Sequence, residues 1–379
     1  MRVYLDNAAT TRTADEVIDA MEPFFSREYG NASTMYSWGV EANEAMEKSR
    51  KSISKFLDIS PKELVFTGCG TEADNLALKG VAFASKGKHI ITSSIEHPAV
   101  LEPAKWLETR GFEVTYLPVD KDGFVNAEEF EAAIRPDTFL ASIMYANNEI
   151  GTIEPISALS KIAHEHEVLF HTDAVQAFAK IPLDLKNVDL LSASAHKIHG
   201  PKGVGLLYVK EGTPLTPILH GGGHEHGLRS ATENVPGIVG FAKAVELASK
   251  KMKSEHERQS KLRDRLLDEI PKISDSWVNG PRERLPNNAH FGFDFVEGES
   301  LVLRLDAEGI ASGTGSACSS HDLKPSHVLT GIGLPAEKAH GSLRLTLSRY
   351  TTEEEIDYVM EKVPKVVEDL RRLSPLVKR

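Results

Sequence analysis

Lys197 closes the stretch Ser192-Ala193-Ser194-Ala195-His196-Lys197, which comes after the apolar run Val188–Leu191 and precedes the glycine-broken Gly200-Pro201-Lys202-Gly203. A lysine at the end of a buried strand, partly desolvated and ringed by donors, loses its proton readily. It then forms Schiff bases with carbonyls such as that of pyridoxal phosphate. Taken alone, it reads first as a surface lysine whose stem lies over apolar neighbours. Other strand ends carry complementary groups. Val168–Asp173 is an apolar strand ending in a carboxylate, suited to keeping a pyridine nitrogen protonated or to capping a helix. Leu64–Thr67 runs into Gly68-Cys69-Gly70-Thr71-Glu72 and then a helical pattern, so small residues and a helix N-terminus would meet an anion such as phosphate. The spacing matches neither a Walker loop nor the dinucleotide fingerprint.

The chain has two cysteines, Cys69 and Cys318, which make no CxxC pair and no disulfide framework. Cys318 sits in Ala311–Pro325, a glycine- and serine-rich stretch with neither helical nor strand period, of the kind that is usually functional or disordered in a compact domain, and its small polar neighbours weigh against a buried structural cysteine. A cysteine there can reach a buried substrate and then swing outward to deliver sulfur. Cys69, beside the phosphate loop, reads as inert packing or as a second reactive thiol. His220-Gly221-Gly222-Gly223-His224-Glu225-His226 invites a zinc or an oxyanion-loop reading. Neither is favoured, because the chain has no Gly-x-Ser-x-Gly elbow and the histidines lie on glycine-rich backbone rather than one turn apart on a helix. No metal is expected.

These residues need a frame. Strand patterns at Leu64–Thr67, His89–Ser93, Val114–Leu117, Phe139–Tyr145, Val168–Asp173, Val188–Ser192 and Val204–Val209 alternate with helical patterns such as Ile156–Glu167. That alternation predicts an α/β fold with a mostly parallel seven-stranded sheet covered on both faces, its ligands beyond the carboxyl ends of the strands. A charged helix from about Glu246 to Ile270 marks the boundary of a smaller α+β domain, in which Pro364 is expected to kink or split the last helix, Thr352–Leu373. Residues 16–250 would form the large domain and 251–379 the small one.

A chain of 379 residues with 41% hydrophobic residues can build two or three domains, and a formal charge of −11 argues against a nucleic-acid binder. The opening residues have no apolar signal region, and no uncharged run approaches the roughly 18 residues of a membrane helix. A cytoplasmic protein without direct nucleic-acid or membrane contact is expected.

Several short motifs occur together in order: Leu5–Thr11, Gly30-Asn31-Ala32-Ser33, Thr71–Asn75, Glu96-His97, Asn147–Gly151, Asp173–Gln176, His196-Lys197, His220–Glu225 and Gly315-Ser316-Ala317-Cys318. The ordered set resembles the cysteine desulfurases of the NifS/IscS type, fold-type I pyridoxal-phosphate transferases, and extends over almost the whole chain. Cys69, Ala32 and Tyr36 depart from the usual pattern, and none removes a group that the chemistry needs.

The resemblance implies that residues 1–15 join the small domain, making it 1–15 plus 251–379, and it implies roles. Lys197 would carry pyridoxal 5'-phosphate and shuttle protons, Asp173 would pair with its pyridine nitrogen, and Gln176 with its phenolic oxygen. His97 would stack on the ring and take part in proton transfer. Gly70, Thr71, Ser194 and His196 would hold the phosphate, with Thr232 reaching in from a second subunit of a homodimer. Asn148 and Arg344 would clamp the carboxylate of L-cysteine. Cys318 would take the sulfur as a persulfide, leaving L-alanine, and pass it to an acceptor such as an iron–sulfur scaffold or a tRNA-thiolation partner. Alternatives on the same fold are a selenocysteine lyase, a cysteine lyase, or a catalytically silent sulfur-transfer scaffold.

Overall fold

The structure is a computed structural model and describes residues 1–315 and 325–374. The first strand, β1 (Val3–Tyr4), is succeeded by seven strands that make the main sheet. They are β2 (Leu64–Thr67), β3 (His89–Ser93), β4 (Glu113–Leu117), β5 (Thr138–Ser142), β6 (Leu169–Asp173), β7 (Leu190–Ser194) and β8 (Gly205–Val209). Their order is β2-β8-β7-β6-β5-β3-β4, antiparallel at β2–β8 and β7–β8 and parallel elsewhere.

Both faces of this sheet are buried, which is why its strands read as continuous apolar runs rather than alternating ones. Along β8, Leu206 and Tyr208 enter one core with Phe170, Phe178 and Phe241. Leu207 and Val209 enter the other with Val65, Leu76 and Ile90. That period of two is strand geometry at work. Continuous runs leave strand ends poorly marked, and β7 accordingly reaches Ser194, two residues past the expected Ser192. Register then does the positioning: Ser194 and Thr67 both lie opposite Gly205. A Cβ on Gly205 would sit 2.7 Å from the Cys69 carbonyl carbon, so only glycine lets β8 start against the loop after β2.

The remaining strands are β9 (Ser276–Val278), β10 (Asn288–Phe293), β11 (Ile310–Ala311) and β12 (Ser342–Thr346). β12-β10-β9 form an antiparallel sheet, and β1 pairs in parallel with β11. A separate core gathers Val3, Leu5, Leu262, Leu266, Phe291, Leu345 and Val363. The charged region expected to begin near Glu246 belongs to one continuous helix, Val235–Glu269. Phe241 and Val245 of its first half pack on the main sheet, and Leu262 and Leu266 of its second half pack in the separate core.

The last helix, Glu353–Leu373, is not split at Pro364. Thr352 and Glu355 form a capping box at its start, and the buried stripe Ile356, Val359, Val363, Val367 holds it against the core across the missing N–H. Among the described residues, no helix is long and apolar enough to cross a membrane.

Candidate functional site

The carboxyl ends of β6 and β7 and the start of the helix Gly70–Ala84 open onto one cavity of about 530 Å³. Ten of the residues expected from the sequence line it: Gly70, Thr71, His97, Asn148, Asp173, Gln176, Ser194, His196, Lys197 and Arg344. Thr232 does not line the cavity of its own chain. Cys318 lies outside the described residues, although Gly315 and Pro325, the described residues that flank segment 316–324, are both at the cavity wall.

Lys197 comes after β7 on a single tight turn, Ala195–Lys197. Its Nζ donates to the carbonyls of Ala8 at 2.5 Å and Ala9 at 2.7 Å, so the chain's opening segment forms one wall. Asp173 ends β6 and is buried; one of its oxygens accepts the Val175 N–H at 2.8 Å. No helix lies between β6 and β7 among the described residues, so Asp173 closes a local turn rather than capping a helix, and the same residue also lines the cavity. Burial pushes the Asp173 carboxyl above the usual carboxylate range, with the Val175 N–H and Lys197 pulling against it. Asp74, near the start of the helix Gly70–Ala84, is pushed up well above its ordinary value by burial and by Asp173.

Three histidines, His97, His196 and His327, line the cavity, and burial lowers the pKa of each. His97 caps the helix Pro98–Glu108, its Nδ1 accepting the Ala99 N–H at 3.1 Å, which leaves the ring proton on Nε2. Burial, Lys197, His327 and Arg344 pull its pKa down to about 4. His196, bonded to Thr10 Oγ1 at 3.1 Å, is likewise lowered to about 4 by burial and by Lys197, Lys202 and Lys180.

At the far end of the cavity, β12 supplies Arg344. Its Nη1 donates to the Asn148 carbonyl at 3.0 Å and its Nη2 to Asp6 at 2.9 Å, while Nε has no partner among the described residues. A planar, anchored guanidinium of this kind suits a carboxylate. Glu149 beside it has its pKa raised to about 7 by burial, and Ser326 Oγ donates to it at 2.5 Å.

The donor set fits pyridoxal phosphate. Ser194 Oγ is buried without a hydrogen-bond partner among the described residues, next to the end of a helix whose first N–H groups have no intrahelical acceptor. A Cβ on Gly70 would fall 2.8 Å from Val175 and 3.6 Å from Ser194, so glycine keeps that cradle open.

Sequence reasoning gave no role to Asp74, His171, Glu96, Glu149 or Lys180. His171, two residues before Asp173 on β6, bridges Ser142 Oγ at 2.8 Å and Ser192 Oγ at 3.0 Å, and lies 3.6 Å from Asp74. The strand period implies its inward position, but not its partners. In the His220–His226 stretch, both Glu225 oxygens are engaged by Arg50, at 2.7 and 2.8 Å, and one also accepts the Phe66 N–H at 2.7 Å. That buried clamp ties the glycine-rich loop to β2.

The family model described as Aminotransferase class-V matches residues 3–359. A protein of Dictyoglomus turgidum named cysteine desulfurase IscS is 54% identical over 379 residues, covering 98% of this chain and 96% of its own length. A solved structure titled NIFS-like protein superposes with a TM-score of 0.92 at 44% identity, covering 97% of this chain and all of the other. Another, titled SspA in complex with cysteine, gives a TM-score of 0.81 at 38% identity, covering 92% of this chain and all of the other.

Proposed function

The chain belongs to the aminotransferase class-V family and is a cysteine desulfurase, and from that premise we propose that it works with pyridoxal 5'-phosphate on L-cysteine, leaving L-alanine and a persulfide on Cys318. The observation that carries this reading is the convergence of Lys197, Asp173, a Ser194 hydroxyl without a partner among the described residues beside a helix N-terminus, and the anchored Arg344 guanidinium on one cavity.

Bound there, pyridoxal phosphate supplies an aldehyde for the substrate amine and a ring that accepts electrons from the substrate α carbon. Lys197 would hold the aldehyde end, Asp173 the ring nitrogen and Gln176 the ring oxygen. The phosphate would fall to Gly70, Thr71, Ser194 and His196, and to Thr232 of a second copy of the chain.

Arg344 and Asn148 orient the substrate carboxylate, which directs the α C–H toward the lysine. The Lys197 amine, once neutral, takes the α proton at Nζ and later returns it; the Ala8 and Ala9 carbonyls stabilise its protonated form. His97, neutral and protonated at Nε2, is a donor at that atom. Cys318 attacks the substrate sulfur as a thiolate. The new S–S bond forms as the C–S bond breaks, the bonding pair stays with the substrate carbon, and protonation there completes alanine. A cytoplasmic sulfur-acceptor protein, such as an iron–sulfur scaffold, would then discharge the persulfide.

Incubation of the PLP-loaded protein with L-cysteine should yield alanine in equal amount to transferred sulfur, released as sulfide when a thiol reductant is present. Sedimentation should show the active species to be a dimer. No alanine would overturn the reading, and a fully active monomer would remove Thr232 from the site.

Replacing Asp173 by Asn isolates that residue's cavity role, because an amide oxygen can still accept the Val175 N–H and keep the turn. Turnover is expected to fall roughly 10²-fold or more as the ring nitrogen loses its anionic partner. Steady-state kinetics and the visible absorbance of bound cofactor measure this. Unchanged values would make Asp173 a turn-closing residue and nothing else.

A further inference from the structure

Lys180 lies four residues beyond Gln176, in the turns after β6. Its Nζ donates to Gln176 Oε1 at 3.2 Å. Gln176 Nε2 donates in turn to the Ala8 carbonyl at 3.0 Å, the same carbonyl that accepts Lys197 Nζ. A side-chain amide has one accepting end and one donating end. Here the accepting end meets an ammonium and the donating end a carbonyl, so a flipped amide would face like against like at both ends.

A lysine in this position is costly. Around it, lining the same small cavity of about 60 Å³, are Lys197 and His199 beyond β7, Lys251, Glu255 and His256 of the helix Val235–Glu269, and Arg349 beyond β12. Glu255 is occupied by Arg258 at 2.9 Å and Gln259 at 3.1 Å. Lys180 has no ion pair among the described residues, and burial together with Lys197 pulls its pKa down to about 7. A methionine of similar length would fill the space without that penalty.

We infer that Lys180 is a positioning residue: it locks the Gln176 amide so that Nε2, already facing the cavity wall at Ala8, offers an N–H to the ring oxygen of the cofactor. The inference rests on the pyridoxal-phosphate reading above. A fixed N–H donor favours the anionic oxygen and disfavours protonation of the bound chromophore. The pH midpoint of the chromophore's colour change is therefore lower in the native protein than without Lys180.

The test is a pH titration of visible absorbance in the PLP-loaded protein, with no substrate present, for the native chain, Lys180→Met, Gln176→Leu and the double variant. The midpoint should rise by about one pH unit in each single variant. The double variant should go no further than Gln176→Leu alone, because both changes remove the same contact. Additive shifts, or an unchanged midpoint in Lys180→Met, overturn the inference. Gln176→Glu gives a second test that does not depend on the methionine variant folding: it keeps an acceptor for Lys180 but presents no N–H, so its midpoint must also rise, and an unchanged one overturns the proposal. Absence of any visible band in the native protein with PLP would overturn the cofactor reading and this inference together, whereas a normal band with an unmoved midpoint overturns this inference alone.

Discussion

Replacing Lys197 by Ala is expected to cut alanine formation from L-cysteine by roughly 10⁴-fold or more, since on the proposed reading the variant loses both the amine that would hold the cofactor aldehyde and the group that would move the α proton. The loss should not come from unfolding. Of the two carbonyls that Lys197 serves, Ala8 keeps its bond from Gln176 Nε2, and only Ala9 is left short of a donor. One unsatisfied, partly exposed carbonyl costs about 1 kcal/mol. A thermal melt within a few degrees of the native one, with turnover gone, is the expected pair of results. Some cofactor should still bind through the phosphate cradle. Alanine release at the native rate would show that the lysine has been misassigned.

Cys318→Ser is expected to separate sulfur acceptance from everything that precedes it. The cavity groups are untouched, so the variant should bind PLP with native colour and still change its spectrum on mixing with L-cysteine. A serine hydroxyl is a poor nucleophile toward sulfur and cannot hold a persulfide, so alanine should fall to traces and no protein-bound sulfur should be recovered. Cys69→Ser provides the contrast. Cys69 caps the helix Gly70–Ala84, its Sγ accepting the Glu72 N–H at 3.4 Å, and serine is among the preferred residues for that position. That variant should keep native activity and lose no stability. Activity lost in Cys69→Ser and kept in Cys318→Ser would transfer the nucleophile to Cys69. Alanine without any persulfide in Cys318→Ser would favour a lyase that expels its sulfur directly.

Much of the frame was legible because the chemistry sits at strand ends. An apolar run buried on both faces announces a central strand, and the residues at its carboxyl end, Asp173 closing β6 and Lys197 just past β7, must emerge at one edge of the sheet. Strand limits were less legible for the same reason: uninterrupted burial leaves no alternation to show where Ala193 and Ser194 leave the ladder. The split allowed for at Pro364 does not occur because the proline's local cost is weighed against a whole buried helix face, which a single residue does not reveal. Pairings across long separations had no local signal at all. Nothing near Asp6 foretells Arg344, and nothing in the Val168–Asp173 pattern says that His171 will bridge two serines on neighbouring strands. Gln176 and Lys180 are close in sequence, yet their contact depends on irregular turns rather than on a helical spacing that could be read in advance.

The opening segment has a consequence for how the protein is made. Asn7 Nδ2 donates to the Thr346 carbonyl, 339 residues away, Asp6 holds Arg344, and Val3 is paired with Ile310. The carbonyls of Ala8 and Ala9 that receive Lys197 are thus set in place by residues that the ribosome adds long after them. At about 5–20 residues per second, the first few residues wait on the order of half a minute for their partners. Until then a nascent chain can carry a finished main sheet, with its lysine and aspartate, and still lack both the fixed Ala8–Ala9 wall and Arg344. On this geometry the surroundings of Lys197 are expected to stay incomplete until the segment carrying Arg344 and Thr346 has been made.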